Sequence, residues 1–107
     1  MEKNTNIFDI EKAKRLSKKD NKLSIELKVL KINEEVGELT QAALAYVKAP
    51  NCSSSKRNRS DKTNREEVLE EGCDVINSTM NLLFNVFTDK EIAEMFNKKL
   101  QKWAGKI

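Results

Sequence analysis

Two short acidic clusters, at 34–38 and at 70–74, have the residue types and the spacing of a metal site. Each cluster contains two carboxylates three residues apart, and residues at that spacing project from one face of an α-helix. These pairs are Glu35 with Glu38, and Glu71 with Asp74. Two such helices packed side by side bring four carboxylates together, which a cation between them stabilises. Oxygen ligands of this kind suit Mg²⁺, which also binds phosphates.

The same pattern has an ordinary explanation, because Glu is a good helix former and acidic groups are common on surface helices. We expect Glu66, Glu67 and Glu70 to be solvated or paired with neighbouring basic residues. Both clusters, however, lie on the helices expected to be most buried, and Asn77 follows the second cluster at the next helical step. Burying carboxylates without a cation costs several kcal/mol for each ion. The pattern therefore favours a binding site.

Composition limits the classes of protein to consider. The chain has 107 residues, of which 38% are hydrophobic and 35% charged, which predicts one small domain over 1–107 with a thin core. We therefore expect apolar surface to be buried against a second copy, in a homodimer or homotetramer. The chain contains no His, which excludes Ser-His triads, most zinc sites and the Glu-x-x-His pairs of di-iron bundles.

The sequence also predicts a cytoplasmic protein that does not enter a membrane. Its longest strongly apolar stretch, 82–87, is too short to span a bilayer. Residues 1–4 lack the apolar run of a signal peptide. Two cysteines make no disulfide framework, and Cys73 is expected to be a small buried residue.

Hydrophobic periodicity predicts an all-α fold, a four- to five-helix bundle with two long central helices. The predicted helices cover residues 7–17, 22–47, 63–87 and 88–104. Asp20-Asn21 is the expected N-cap of the second helix, and capping boxes begin at Thr63 and at Thr88. Gly105 is the expected C-cap of the last helix. On that helix, Ile92, Phe96, Leu100 and Trp103 are expected to form the inner face.

A polar and basic segment at 50–62 separates the two central helices, with Pro50 expected to end the first of them. Two interpretations remain open. The segment is either a flexible loop or a loop that orders when it contacts phosphate through Lys56, Arg57 and Arg59.

The strings at 31–39 and 70–77 resemble the signature of the MazG-like all-α nucleoside triphosphate pyrophosphohydrolases. That pattern is Glu-Glu-x-x-Glu on one helix and Glu-x-x-Asp on the next, and the resemblance covers about residues 23–103. Members of the superfamily include dimeric dUTPases and phosphoribosyl-ATP pyrophosphohydrolases. The resemblance implies a helical oligomer that uses Mg²⁺ to cleave a (d)NTP into a (d)NMP and pyrophosphate.

The resemblance also implies roles for the acidic residues. Glu35, Glu38, Glu71 and Asp74 match the metal-ligand positions, and Mn²⁺ is a possible substitute for Mg²⁺. Glu34 and Glu70 match accompanying acidic positions. Our first choice for the catalytic base, which accepts a proton from the attacking water, is Glu34.

Substrate contacts are expected from basic, amide and aromatic side chains. The candidates are Lys31, Asn77, Asn81, Lys56, Arg57, Lys98, Lys102 and Trp103. For each lysine, a solvated surface charge is the simpler interpretation. Trp103, as a lone Trp on an apolar helical line, more often belongs to a core or a subunit interface.

Two other classes of protein compete with the enzyme. A non-catalytic helical interaction or regulatory module would keep the fold without the chemistry. A nucleic-acid-binding protein would use the basic run at 12–22. We rank that class last, because no aromatic stacking platform accompanies the run and the net charge is only +3.

Overall fold

The computed structural model describes residues 8–48 and 63–107, and all regular structure in these ranges is helical. The helices are α1 (Ile10–Lys19), α2 (Ile25–Tyr46), α3 (Asn64–Val86) and α4 (Asp89–Ala104). The two central helices are the longest, with 22 and 23 residues. The predicted all-α class and the order of the helices are confirmed.

The predicted N-cap of α2 is wrong. Ser24, in an extended backbone conformation, caps this helix by accepting a hydrogen bond from the backbone N–H of Leu27. Asp20 belongs instead to the C-terminal end of α1, where its backbone N–H donates to the carbonyl of Leu16. Ser and Asp are both good caps, so sequence alone did not separate them.

The capping boxes of α3 and α4 are confirmed. The Thr63 hydroxyl accepts from the backbone N–H of Glu66 at 3.1 Å, and the Glu66 carboxylate accepts from the Thr63 N–H at 3.3 Å. Thr88 and Glu91 make the same reciprocal pair at 3.2 and 2.9 Å. Gly105 is the C-cap of α4, as predicted.

Helix α2 ends at Tyr46, and two residues later Lys48 adopts a left-handed backbone with φ of 53°. A non-glycine residue in this region is uncommon and turns the chain sharply. Pro50 and the basic segment at 50–62, with Lys56, Arg57 and Arg59, lie outside the described residues.

The described residues divide into two compact units. The terminal unit contains 8–22 and 80–107, and the central unit contains 23–48 and 63–79. In the terminal unit the Lys14 ammonium lies 2.8 Å from the Asp89 carboxylate, which ties α1 to α4. In the central unit the Asn64 amide donates to the carbonyl of Ala45 at 3.3 Å, which ties the start of α3 to the end of α2.

Few apolar side chains are buried in the described part of the chain. The buried hydrophobic residues there are Ala42 and Ala45. The line expected to be the inner face of α4 is largely open, with Phe96 and Trp103 each 63% exposed. Cys73 is exposed rather than buried. These expectations were wrong because periodicity identifies an apolar line without identifying what covers it.

Among the described residues, no helix has both the length and the apolar character needed to cross a membrane.

Candidate metal centre

The central unit buries charged side chains where a soluble helical bundle ordinarily buries apolar ones. Its buried residues are Lys28, Glu35, Ala42, Ala45, Glu67 and Glu71. Lys28, Glu35 and Ala42 follow one another at steps of seven, so they share one side of α2. Three of the buried groups are carboxylates and one is an ammonium. Burial of this excess negative charge is unfavourable unless further cations compensate it.

Three of the predicted ligands come together in this unit. One carboxylate oxygen from each of Glu35, Glu71 and Asp74 lies within 4.8 Å of the other two. Glu35 and Glu71 are buried and Asp74 is exposed, so the group has a buried base and one ligand that solvent reaches. A cation that binds oxygens at about 2.0–2.6 Å bridges oxygens separated by up to about twice that distance.

Glu38, the fourth predicted ligand, does not belong to the group that these described residues form. Its side chain is partly buried. Residues three apart on a helix are offset by about 60° around its axis. The i, i+3 pattern therefore put Glu35 and Glu38 on one side of α2 without bringing both to the same point.

The two oxygens of Glu35 have different surroundings. Oε1 forms a salt bridge with Lys31 Nζ at 3.0 Å. Oε2 is buried and has no hydrogen-bond partner among the described residues. The residue as a whole is only 6% exposed. A buried polar atom without a partner is costly, and a cation held by this carboxylate would remove that cost.

Lys31 contacts carboxylates on its own helix. Besides Glu35, its ammonium contacts the Glu34 carboxylate at 3.2 Å. The Glu35 carboxylate, followed by that of Glu34, raises the pKa of Lys31 above its ordinary value. The side chain is therefore a permanent cation at neutral pH, and it lies beside the acidic group.

The remaining predicted site residues are distributed over both units. In the central unit Glu34, Glu70 and Asn77 are exposed. On α4, in the terminal unit, Lys98, Lys102 and Trp103 are exposed.

Asn81, also a predicted substrate contact, lies in the terminal unit and already has partners there. Its side-chain amide donates through Nδ2 to the Asp20 carboxylate at 3.1 Å and accepts through Oδ1 from the Asn85 amide at 3.0 Å. The Asn85 amide also donates to the backbone carbonyl of Ser17 at 2.7 Å. These contacts tie the end of α3 to the end of α1.

Sequence reasoning missed two buried charged residues of the central unit. Lys28 was not singled out, and Glu67 was expected to be solvated or paired with a basic neighbour, yet both are buried. Each has an interaction partner. The signal that identifies them is helical spacing, because Lys28 lies seven residues before Glu35 and Glu67 lies four before Glu71.

No protein-family model matches the chain, and comparisons with curated proteins and with solved structures find no match. The likeness to MazG-like enzymes therefore depends on the two acidic strings alone.

Proposed function

We propose that the protein is a Mg²⁺-dependent nucleotide pyrophosphohydrolase that cleaves a (d)NTP into a (d)NMP and pyrophosphate. The observation that carries the proposal is the convergence of Glu35, Glu71 and Asp74, in which one buried oxygen of Glu35 has no hydrogen-bond partner among the described residues. A cluster of exposed carboxylates would not need a cation. Here a cation would supply the partner that the buried Oε2 of Glu35 lacks among the described residues.

The donor set fits a hard cation, because it consists of carboxylate oxygens alone. Mn²⁺ accepts the same ligands and is the expected substitute. When bound, the cation supplies charge neutralisation for the triphosphate and acidifies a coordinated water.

Cation binding, proton acceptance and substrate contact are assigned to different residues. Glu35, Glu71 and Asp74 hold the cation. Glu34 is exposed and is the proposed proton acceptor. It lies outside the ligand group, and although its Oε1 contacts Lys31 at 3.2 Å, the carboxylate keeps a second oxygen that can receive a proton from water. Asn77, exposed and one helical turn after Asp74, offers an amide to the sugar or base.

Assembly as a homodimer or homotetramer, with activity in the cytoplasm, is part of the proposal. Eleven of the exposed large apolar residues belong to the central unit and are between 38% and 65% exposed. At about 60–120 Å² for a fully buried large apolar side chain, these leave roughly 300–650 Å² of apolar surface. A standard interface of about 800 Å² per partner, a little over half of it apolar, needs that amount.

Pyrophosphate release from a panel of canonical and damaged (d)NTPs, with Mg²⁺ present, tests the activity. We expect turnover of at least one nucleotide, and a loss of at least about 100-fold in Glu71→Gln and Asp74→Asn. Lys48→Met, two residues beyond the C-terminal end of α2, is the control and should retain wild-type turnover. Full turnover in both carboxylate variants, or no turnover of any nucleotide, contradicts the proposal.

A non-catalytic interaction module remains the second candidate, and the open apolar line of α4 favours it. Phe96, Leu100 and Trp103 on this line are all exposed. Calorimetry with Mg²⁺ and a non-hydrolysable nucleotide separates the two candidates. The enzyme binds both ligands at a saturable site, whereas the interaction module binds neither.

A further inference from the structure

Lys31 holds one oxygen of a buried carboxylate in the acidic group. The contact joins Lys31 Nζ to Glu35 Oε1 at 3.0 Å and spans one turn of α2. The Glu35 side chain is 8% exposed, so its surroundings restrict rotation of the carboxylate. The oxygen that remains for another ligand is Oε2, which is buried and has no hydrogen-bond partner among the described residues.

The difference between the paired Oε1 of Glu35 and its Oε2, which has no partner among the described residues, affects which divalent cation the site would prefer. We propose that Lys31 is a specificity-determining residue, which limits Glu35 to one coordinating oxygen and so makes the site favour Mg²⁺ over Ca²⁺. The inference depends on the proposed cation site. It assigns Lys31 a role different from the substrate contact expected from the sequence.

The two cations differ in how many oxygens they accept. Mg²⁺ requires six ligands in near-ideal octahedral geometry at about 2.0–2.1 Å, and it commonly takes one oxygen from each carboxylate. Ca²⁺ takes six to eight oxygens at about 2.3–2.6 Å and readily accepts both oxygens of one carboxylate. Because Oε1 is already paired with the Lys31 ammonium at 3.0 Å, it is a weaker second ligand for Ca²⁺ than an unpaired carboxylate oxygen would be.

The position of Lys31 supports this role. Its second contact, with Glu34 at 3.2 Å, keeps the ammonium beside Glu35. A pair four residues apart on one helix is already close before any ligand binds.

Calorimetric titration of the full chain with MgCl₂ and with CaCl₂ tests the inference. In Lys31→Met we expect the ratio of the Ca²⁺ to the Mg²⁺ dissociation constant to fall at least tenfold, because Ca²⁺ gains an oxygen ligand. Lys31→Arg keeps a donor for Oε1 and should retain the wild-type ratio. Lys48→Met removes the same charge two residues beyond the C-terminal end of α2, and it should leave the ratio unchanged.

Comparing ratios separates ligand geometry from net charge, since a lost positive charge raises the affinity for both divalent cations together. An unchanged ratio in Lys31→Met, with both cations still bound, overturns the role of Lys31 and leaves the cation site standing. Failure of the wild type to bind either cation overturns the site, the proposed function and this inference together.

Discussion

At the scale of single residues, Glu35 is the most informative position in the chain. It is buried, it is paired through one oxygen, and its other oxygen has no partner among the described residues. Protein interiors rarely leave a buried polar atom in that state. Residues that break this rule are often functional, and Glu35 lies in the acidic group for which a cation is proposed.

The same carboxylate group should destabilise the fold when divalent cations are removed. Asp74→Asn removes one of three carboxylates whose oxygens lie within 4.8 Å of one another. Relief of like-charge repulsion at an exposed position is worth on the order of 1 kcal/mol. We therefore expect the variant to melt at a higher temperature than the wild type in a chelating buffer, as followed by circular dichroism.

Glu38→Gln is the matched control for that experiment, because Glu38 lies outside the three-residue group. Its melting temperature in chelator should stay close to that of the wild type. Adding Mg²⁺ should raise the melting temperature of the wild type and leave that of Asp74→Asn unchanged, since a ligand stabilises only a fold that binds it. A lower melting temperature for Asp74→Asn in chelator contradicts the account.

Sequence spacing predicted which residues share a helix side, but not which side chains converge. It identified Glu35, Glu71 and Asp74, and it also included Glu38, which the group omits. It predicted a substrate contact for Lys31, whereas the Lys31 ammonium contacts the carboxylates of Glu34 and Glu35. Side-chain conformation and pairing decide which carboxylates converge and which groups Lys31 contacts. Neither can be predicted from helical spacing in the sequence.

At the scale of elements, the helices could be predicted more completely than their surroundings. The starts of α3 and α4 depend on local hydrogen bonds, so Thr63 and Thr88 could be recognised from capping-box spacing. Burial depends on neighbours. For that reason Phe96 and Trp103 were expected inside and are exposed.

Helices α1 and α4 are joined by an ion pair whose contribution should depend on pH. The pKa of Asp89 lies below its ordinary value of 3.8, mainly because the carboxylate accepts a hydrogen bond from Lys14. The hydrogen bond to Asp89 likewise raises the pKa of Lys14 above 10.5. A lowered carboxyl pKa means that the stabilisation is complete above pH 3.8 and is lost as the pH falls through the folded-state value.

Asp89→Asn should therefore be less stable than the wild type at pH 7 and equal to it in strong acid. The pair is exposed, so the difference should be small and should shrink further in high salt. Urea unfolding at several pH values measures it, and Lys14→Met with the double variant completes the cycle. A stability difference that persists unchanged below the folded-state pKa of Asp89 rejects this explanation.

At the scale of the whole molecule, the chain exposes much of the apolar surface that it carries. Leu23, Leu27 and Leu30 lie on one line of α2 and are all exposed, and Gly37 continues that line at a step of seven. A Cβ atom at Gly37 would meet nothing within 4 Å. A glycine in mid-helix costs up to about 1 kcal/mol. In the proposed oligomer, close approach by a second copy at Gly37 would offset this cost.

Gly37→Ala should then have opposite effects on the helix and on the assembly. The added methyl group favours helix formation, but it obstructs a close helix crossing and should weaken association at least tenfold. Sedimentation equilibrium measures the association constant. Gly105→Ala is the control, because a Cβ there makes only ordinary contacts with Lys102 and Gln101. Unchanged or tighter association in Gly37→Ala removes Gly37 from the interface.

The central claim is that Glu35, Glu71 and Asp74 hold a divalent cation, and Mn²⁺ binding tests it most directly. Electron paramagnetic resonance of free Mn²⁺ during a titration counts the bound ions without requiring a substrate. We predict a saturable site in the wild type that is lost in Asp74→Asn and retained in Lys48→Met. Equal binding by the wild type and Asp74→Asn, or no saturable binding by the wild type, would contradict the account.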